Sequence, residues 1–474
     1  MANPTPGATI EVWENDPIAA PDERQPALNS PVSHPEPNLD PPGLPVGVDG
    51  TRPPVDNYKV GTDEFRYWVL ADAMARGASF WSGCVPAGTG WQPSNGSRLI
   101  AFRDEGEDLN AYYDRGGLHF FHDTVRGTTV YSGESPDVVC HELGHAVLDA
   151  VKPQLWDVAS IEAAAFHESF GDMSAILSAL QQPALREEIL EQTRGLVSTA
   201  SRLSRLAANL GWAIRQLIPD SGDAGCLRSA VNSFYYQAPA TLPPRAPSSS
   251  LSSEPHNFSR VFTAGFFRML GGMFSLQPQP DSDAVLRAAQ DAGKLLIEGV
   301  RRAPVVTGFF AQVAANMLTA DQDLFQGRYR RAIRGGFVST GVLSVVSAAG
   351  VDPTARLSAL PGLDDLNDEL PLLPLTGASY GLGADLLVRG ASQPRRIGAA
   401  SGLPDSGNSQ PPGADKAADS FVEDLIRRNR IDASDEVVGD APIVAGSYTT
   451  HEIRPADGAL ELLRTRFDCG FGVH

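Results

Sequence analysis

Two histidines four residues apart, with a glutamate directly after the first, stand at His141-Glu142-Leu143-Gly144-His145. On a helix they project from one face, one turn apart, so they can bind one Zn²⁺ together. Glu142 then points roughly 100° round the helix and can reach a water held at the metal. A catalytic zinc takes a third protein ligand and leaves its fourth position to water. Glu168 is the candidate, far enough beyond His145 for a loop and the start of a second helix. Asp172, one helical turn later on the same face, can accept the free ring N–H of a metal-bound histidine and fix its tautomer. The plainer alternatives are two ordinary histidines on a buried helix and two solvated carboxylates on an amphipathic one. The Ala- and Phe-rich surroundings of Glu168 argue against solvated carboxylates.

The remaining candidates carry less chemistry. His119 and His122 read as strand or turn residues, and His167 as a packing residue or part of the cleft wall. His34, His451 and His474 lie in or near the tails, with no metal role expected. Cys140 precedes the first histidine, points away from the metal on a helix, and reads as a small buried apolar residue. The run Arg328-Tyr329-Arg330-Arg331 reads as a solvated helix face.

These residues need elements to hold them. Residues 1–55 are dense in proline, as in Pro41-Pro42-Gly43-Leu44-Pro45, and read as a disordered or polyproline-like arm. Phe65, Trp68, Val69 and Ala73 recur at helical spacing and predict the first helix. Arg98 to Phe102, Leu109 to Tyr113 and Leu118 to Phe121 predict short strands of an antiparallel sheet, within a β-rich lobe spanning 56–136. From Asp137 the pattern turns helical and continues to about 345, the lobe that carries the metal residues. Repeated Pro, Gly, Asp and Ser make 361–420 a linker, and 421–474 a small C-terminal element with helices near 418–428 and 457–465 around a strand at Ala441 to Tyr448. The fold class expected is α+β.

Composition narrows the partners. Lys and Arg number 38 against 57 Asp and Glu, a net charge of −19, which argues against a protein that lives on nucleic-acid phosphates. No apolar run is long enough to span a membrane. The four cysteines form no Cys-x-x-Cys and suggest neither a disulfide framework nor a cysteine zinc site. With no secretory signal at the N-terminus, a cytoplasmic address is the default expectation, with unconventional export left open.

Taken together, His-Glu-x-x-His followed by Glu-x-x-x-Asp resembles the gluzincin metallopeptidases, and its flanks resemble their thermolysin-like branch. Asp137-Val138-Val139 matches the start of that branch's zinc helix, and Asn110-Ala111-Tyr112-Tyr113 matches its substrate-binding edge strand. His256, in Glu254-Pro255-His256-Asn257, stands in the order of the family's transition-state histidine. The resemblance covers roughly Ser97 to Leu343. It implies a β-rich N-terminal lobe and a helical C-terminal lobe with the zinc helix between them. It also implies His141, His145 and Glu168 as zinc ligands, Glu142 as general base and then acid, and Asp172 orienting His141. Asn110, Ala111 and Tyr112 would hold the peptide, and His256 the oxyanion. The implied cofactor is one catalytic Zn²⁺, and the implied partner is a peptide or protein substrate. Two departures stand out. Trp156 occupies the place of a family tyrosine that donates to the oxyanion. No carboxylate follows Asp172 through Leu180, so no calcium site is expected. An aminopeptidase lacks support, because no Gly-x-Met-Glu-Asn is present. The alternative from another class is a catalytically inactive, peptidase-like binding or structural protein that retains the zinc site.

Overall fold

The first fifty residues contain Ile10, Val12 and Trp13 close together, and these find partners in the first helix. A computed structural model describes residues 8–20, 26–345, 348, 369–392, 413–433 and 448–468 of the chain. Its first strands are β1 (Thr9–Val12), β2 (Ile18–Ala20), β3 (Ala27–Leu28), β4 (Val32–Pro35) and β5 (Val46–Val48). β1 pairs antiparallel with β4, and β2 with β3. Ile10, Val12 and Trp13 are buried against Phe65 and Trp68 of α1 (Asp63–Ser82), with the Trp13 and Phe65 rings 5.3 Å apart edge to face. The expected disordered arm is therefore a docked layer wherever residues 8–55 are described. Its apolar residues are few, but Ile10, Val12 and Trp13 share a cluster with aromatic side chains of α1, which composition alone does not disclose.

Next come β6 (Leu99–Phe102), β7 (Ala111–Tyr113), β8 (Leu118–Phe120) and a hairpin of β9 (His122–Val125) with β10 (Thr128–Tyr131). The three strands expected from sequence form, but not as an antiparallel sheet. β5 runs parallel to β6 and β6 parallel to β8, while β7 is antiparallel to β8. The arm supplies β5, the strand at one edge of this mixed sheet.

The helical body follows. α2 (Pro136–Val151) begins with Ser135 as N-cap, Pro136 in its first turn and Asp137 beside the positive end of the helix dipole. α3 (Ile161–Ala179) begins with Ser160, whose side chain accepts the Ala163 amide. Glycine lets these two helices touch. A methyl group at Gly144 would stand 2.9 Å from the Cα of Gly171 and 2.8 Å from the Cβ of Ser174. Around them lie α4 (Pro183–Thr193), β11 (Arg205–Leu206), α5 (Ala208–Leu217), β12 (Arg228–Ser229), α6 (Pro255–Ser275), α7 (Ser282–Arg302), α8 (Phe309–Phe325) and α9 (Arg330–Ser339). α2 and α3 are buried on all sides, and Phe166, Phe170, Phe258, Phe262 and Phe310 fill the space where α3, α6 and α8 meet.

The last part holds β13 (Leu372–Leu375), β14 (Leu386–Arg389), α10 (Ala414–Arg427), β15 (Ile431–Ala433), β16 (His451–Ala456), β17 (Ala459–Arg464) and β18 (Phe467–Asp468). The first five of these strands form one sheet in the order β13-β14-β17-β16-β15. Leu386, Val388, Leu460 and Leu462 pack with Phe421, Val422 and Leu425 of α10, and the cluster closes onto Ile161 and Ala164 of α3. The linker expected at 361–420 thus contributes β13, β14 and the start of α10 to this unit, while 361–368 and 393–412 lie outside the described residues. Most of the strand expected at Ala441 to Tyr448 lies outside them as well. The helix expected near 457–465 is a strand, because residues 459–464 are claimed by β16 and β14 on its two sides. β18 leaves this sheet and joins the first one, giving the order β18-β7-β8-β6-β5. The described chain is thus a mixed helix-and-strand protein with several small sheets. Among the described residues, no helix is long and apolar enough to cross a membrane.

Candidate metal centre

α2 carries His141 and His145 on consecutive turns with Glu142 directly after the first, and α3 brings Glu168 and Asp172 across the glycine-mediated contact. One ligand atom from each of His141, His145 and Glu168 lies within 4.8 Å of the others, and all three residues are buried. His141 Nε2 stands 3.3 Å from Glu168 Oε2, and His145 Nε2 stands 3.8 Å from Glu168 Oε1. Two atoms bound at ~2.05 Å to one tetrahedral ion stand about 3.3 Å apart, so this spacing suits a single metal. The Nε2 atoms of both histidines and Oε2 of Glu168 are buried and make no hydrogen bond. Buried polar atoms without partners are uncommon and call for an explanation, and a cation among these three supplies one. The described residues hold this one such group, and two imidazoles with one carboxylate can hold a metal ion.

The surrounding shell fixes the rings. His141 Nδ1 lies 3.1 Å from Asp172 Oδ1. Asp172 is held in turn by Arg228 of β12, whose Nη2 donates at 2.9 Å. His145 Nδ1 faces His167 Nδ1 at 3.4 Å, which puts His167 in the metal shell and in the packing at once. His256, in the first turn of α6, stands with Nε2 3.2 Å from Glu168 Oε2 and Nδ1 2.7 Å from Glu254 Oε1. Glu142 is fully buried on the same helix as the two histidines.

Charge follows these contacts. Burial opposes protonation of His141, yet the neighbouring carboxylates of Asp172 and Glu168 lift its pKa to about 9. Burial dominates at His145 and drives it to about 3, leaving a neutral imidazole suited to a metal. Burial would raise Glu168, but His256, His145 and His141 together hold it well below the carboxylate range. Glu254 falls to about 2, since His256 and Arg428 outweigh its desolvation. A carboxylate ringed by imidazoles keeps its charge in the interior.

The peptide-holding residues expected on β7 are placed differently. Asn110 is only 2% exposed, and its Oδ1 accepts the amide of the next residue, Ala111, at 2.7 Å. The Tyr112 ring stacks on His119 at 4.4 Å. The outer side of β7 is not open, because β18 pairs with it, Phe467 opposite Tyr113 and Asp468 opposite Tyr112. Trp156 does not aim into the site: its indole N–H donates to the carbonyl of Arg464 at 3.2 Å. Beside Glu168 and His256 a cavity of about 30 Å³ remains, bounded by Phe467, Asp468, His451 and Arg464. A second cavity of about 270 Å³ adjoins it, bounded by Arg228, Glu254, His256, Arg260, Arg428 and Arg430.

Sequence reading did not single out Arg228, Gly171 or Phe467. Gly171 carries a visible signal, a glycine inside a helical stretch between Glu168 and Asp172. Arg228 and Phe467 carry none, because only the fold brings them to the site. No protein-family model matches the chain, and a search of curated proteins finds no similar one.

Proposed function

We propose that the protein is a zinc-dependent metallo-endopeptidase of the thermolysin-like, gluzincin type. The observation that carries this reading is the buried convergence of His141, His145 and Glu168, with Glu142 on the same helix and His256 alongside. In this reading the first mixed sheet and the helical body correspond to the family's two lobes. A bound zinc supplies Lewis acidity, lowering the pKa of a water towards ~7 and polarising the scissile carbonyl. Glu142 takes the water's proton and delivers it to the leaving amine. His256, oriented by Glu254, donates to the developing oxyanion. Asp172 and Arg228 keep His141 in place.

Zinc content together with cleavage of a broad peptide library tests this. Glu142→Gln should keep the metal and lose at least ~10²-fold in hydrolysis, the scale of general acid–base catalysis. Equal cleavage by Glu142→Gln and wild type would remove this helix from the mechanism. A second reading, a metal-holding protein without hydrolytic activity, is favoured by one observation: Phe467 stacks on His145 and on His167 beside it. Zinc-loaded protein that cleaves nothing in the library, even with Phe467 replaced, would establish that reading instead.

A further inference from the structure

β18 is a two-residue strand with an unusual address. It leaves the C-terminal sheet, crosses to the first sheet and adds to the outer side of β7. The Phe467 ring stacks on His167 with centroids 3.8 Å apart and on the ligand residue His145 at 5.0 Å. Trp156 meets the same ring edge on at 5.3 Å. The Arg464 guanidinium lies over its other side at 4.1 Å. Two side-chain donors to main-chain carbonyls lock the approach, Trp156 Nε1 to the Arg464 carbonyl at 3.2 Å and Arg464 Nε to the Trp156 carbonyl at 2.7 Å. Asp468 then lies 3.7 Å from Arg430 and 3.3 Å from Arg466. Phe467 is 2% exposed and Asp468 4%. The about 30 Å³ left beside Glu168 and His256 holds a water or two and no peptide.

Such an arrangement is how an extended peptide binds a sheet edge: main-chain pairing gives affinity, and pockets for alternate side chains give selectivity. We propose that Phe467–Asp468 is an internal occupant of a peptide track along β7, holding the metal centre closed. The track takes extended peptides with an aromatic residue followed by an acidic one. The aromatic residue enters the box of His145, His167 and Trp156, and the acid meets Arg430, the cation that remains when β18 leaves. Capture of such a peptide needs only the track, whereas its hydrolysis rests on the metallopeptidase reading.

The test uses the full-length, zinc-loaded protein and a fluorescein-labelled, C-terminally amidated peptide Leu-Arg-Thr-Arg-Phe-Asp, the sequence of residues 463–468. Phe467→Ala and, separately, Asp468→Lys should bind it at least tenfold tighter than wild type by fluorescence anisotropy. Peptides with Ala for Phe or Lys for Asp should lose that gain. Variants that keep wild-type circular dichroism and zinc content yet bind no better than wild type would overturn the proposal. If Phe467→Ala fails to fold, Asp468→Lys decides by the same comparison. Should both fail, hydrogen exchange on wild type decides: saturating peptide should speed exchange at the Phe467 and Asp468 amides, and unchanged rates overturn the proposal. Capture without cleavage upholds the proposal and leaves the metallopeptidase reading to the peptide-library test.

Discussion

Gly171→Ala puts the metal centre under a test that ordinary helix rules get wrong. In a helix interior, Gly to Ala gains about 1 kcal/mol from backbone entropy alone. Here the new methyl carbon would stand 2.6 Å from Cε1, Nδ1 and Nε2 of His141 at once. Non-bonded carbon contacts settle near 3.5–4.0 Å, so the ring must move by about 1 Å. Metal bonds tolerate errors of roughly 0.2 Å, and Nε2 is the proposed ligand atom. Forcing an extra methyl into a packed core costs about 1–3 kcal/mol, so the helix gain is offset or reversed. Zinc affinity should fall by at least ~10–100-fold, the scale seen when support for a ligand histidine is lost. Gly335→Ala in α9 is the control, since nothing lies within 4 Å of its added carbon and only the helix gain applies. The assay is zinc competition against a chromogenic chelator, paired with thermal melts of both variants. Unchanged zinc affinity with a raised melting point for Gly171→Ala would show that His141 does not sit against α3 and would refute the ligand geometry.

Zinc re-added after chelation, at about a thousand times its dissociation constant, should stabilise the protein by about 4 kcal/mol, a melting shift of about 4 °C for a chain this long. His141→Ala should show no such shift in calorimetry. Glu162 accepts the Tyr236 hydroxyl at 2.5 Å and the Phe310 amide at 2.9 Å, yet burial raises its pKa from 4.5 to about 7. The folded state therefore holds a proton that the unfolded state releases, so its stabilising contribution is full below pH ~4.5. That contribution is lost as pH rises towards ~7, by on the order of 3 kcal/mol. Glu162→Gln should flatten this window in denaturant titrations at pH 4.5 and 7.5. Trp13→Ala, at a side chain 2% exposed against Phe65, should cost about 3–5 kcal/mol by urea unfolding, whereas a free arm would give a change near zero.

What could be read in advance was local. His141, His145, Glu168 and Asp172 obey helical spacing, so two helices and one shared face placed them before any fold was known. The helical pattern read from Asp137 to about 345 likewise covered α2, α3 and α6. Long-range selection was not readable. Val46 to Val48 carries no strand periodicity to speak of, and becomes a strand because β6 offers it a parallel partner. Ala459 to Arg464 is made mostly of good helix formers, but alternate burial of Leu460 and Leu462 between β16 and β14 overrides propensity. Arg228 and Phe467 reach the metal shell through packing between segments distant in sequence, so no window of residues could announce them.

Asp16 ties this assembly together in time. Its carboxylate accepts a hydrogen bond from the hydroxyl of Ser135, the cap of the helix bearing His141, at 2.8 Å, and another from the Asn209 amide at 3.0 Å. These contacts bridge 119 and 193 residues of sequence. Loops of that length must close before either bond forms, and topology of this kind slows folding. The helix that carries the ligands is thus finished from a great distance along the chain. Refolding from denaturant should be slow, and recovery of tight metal binding should follow the slowest phase instead of the early gain of helix signal.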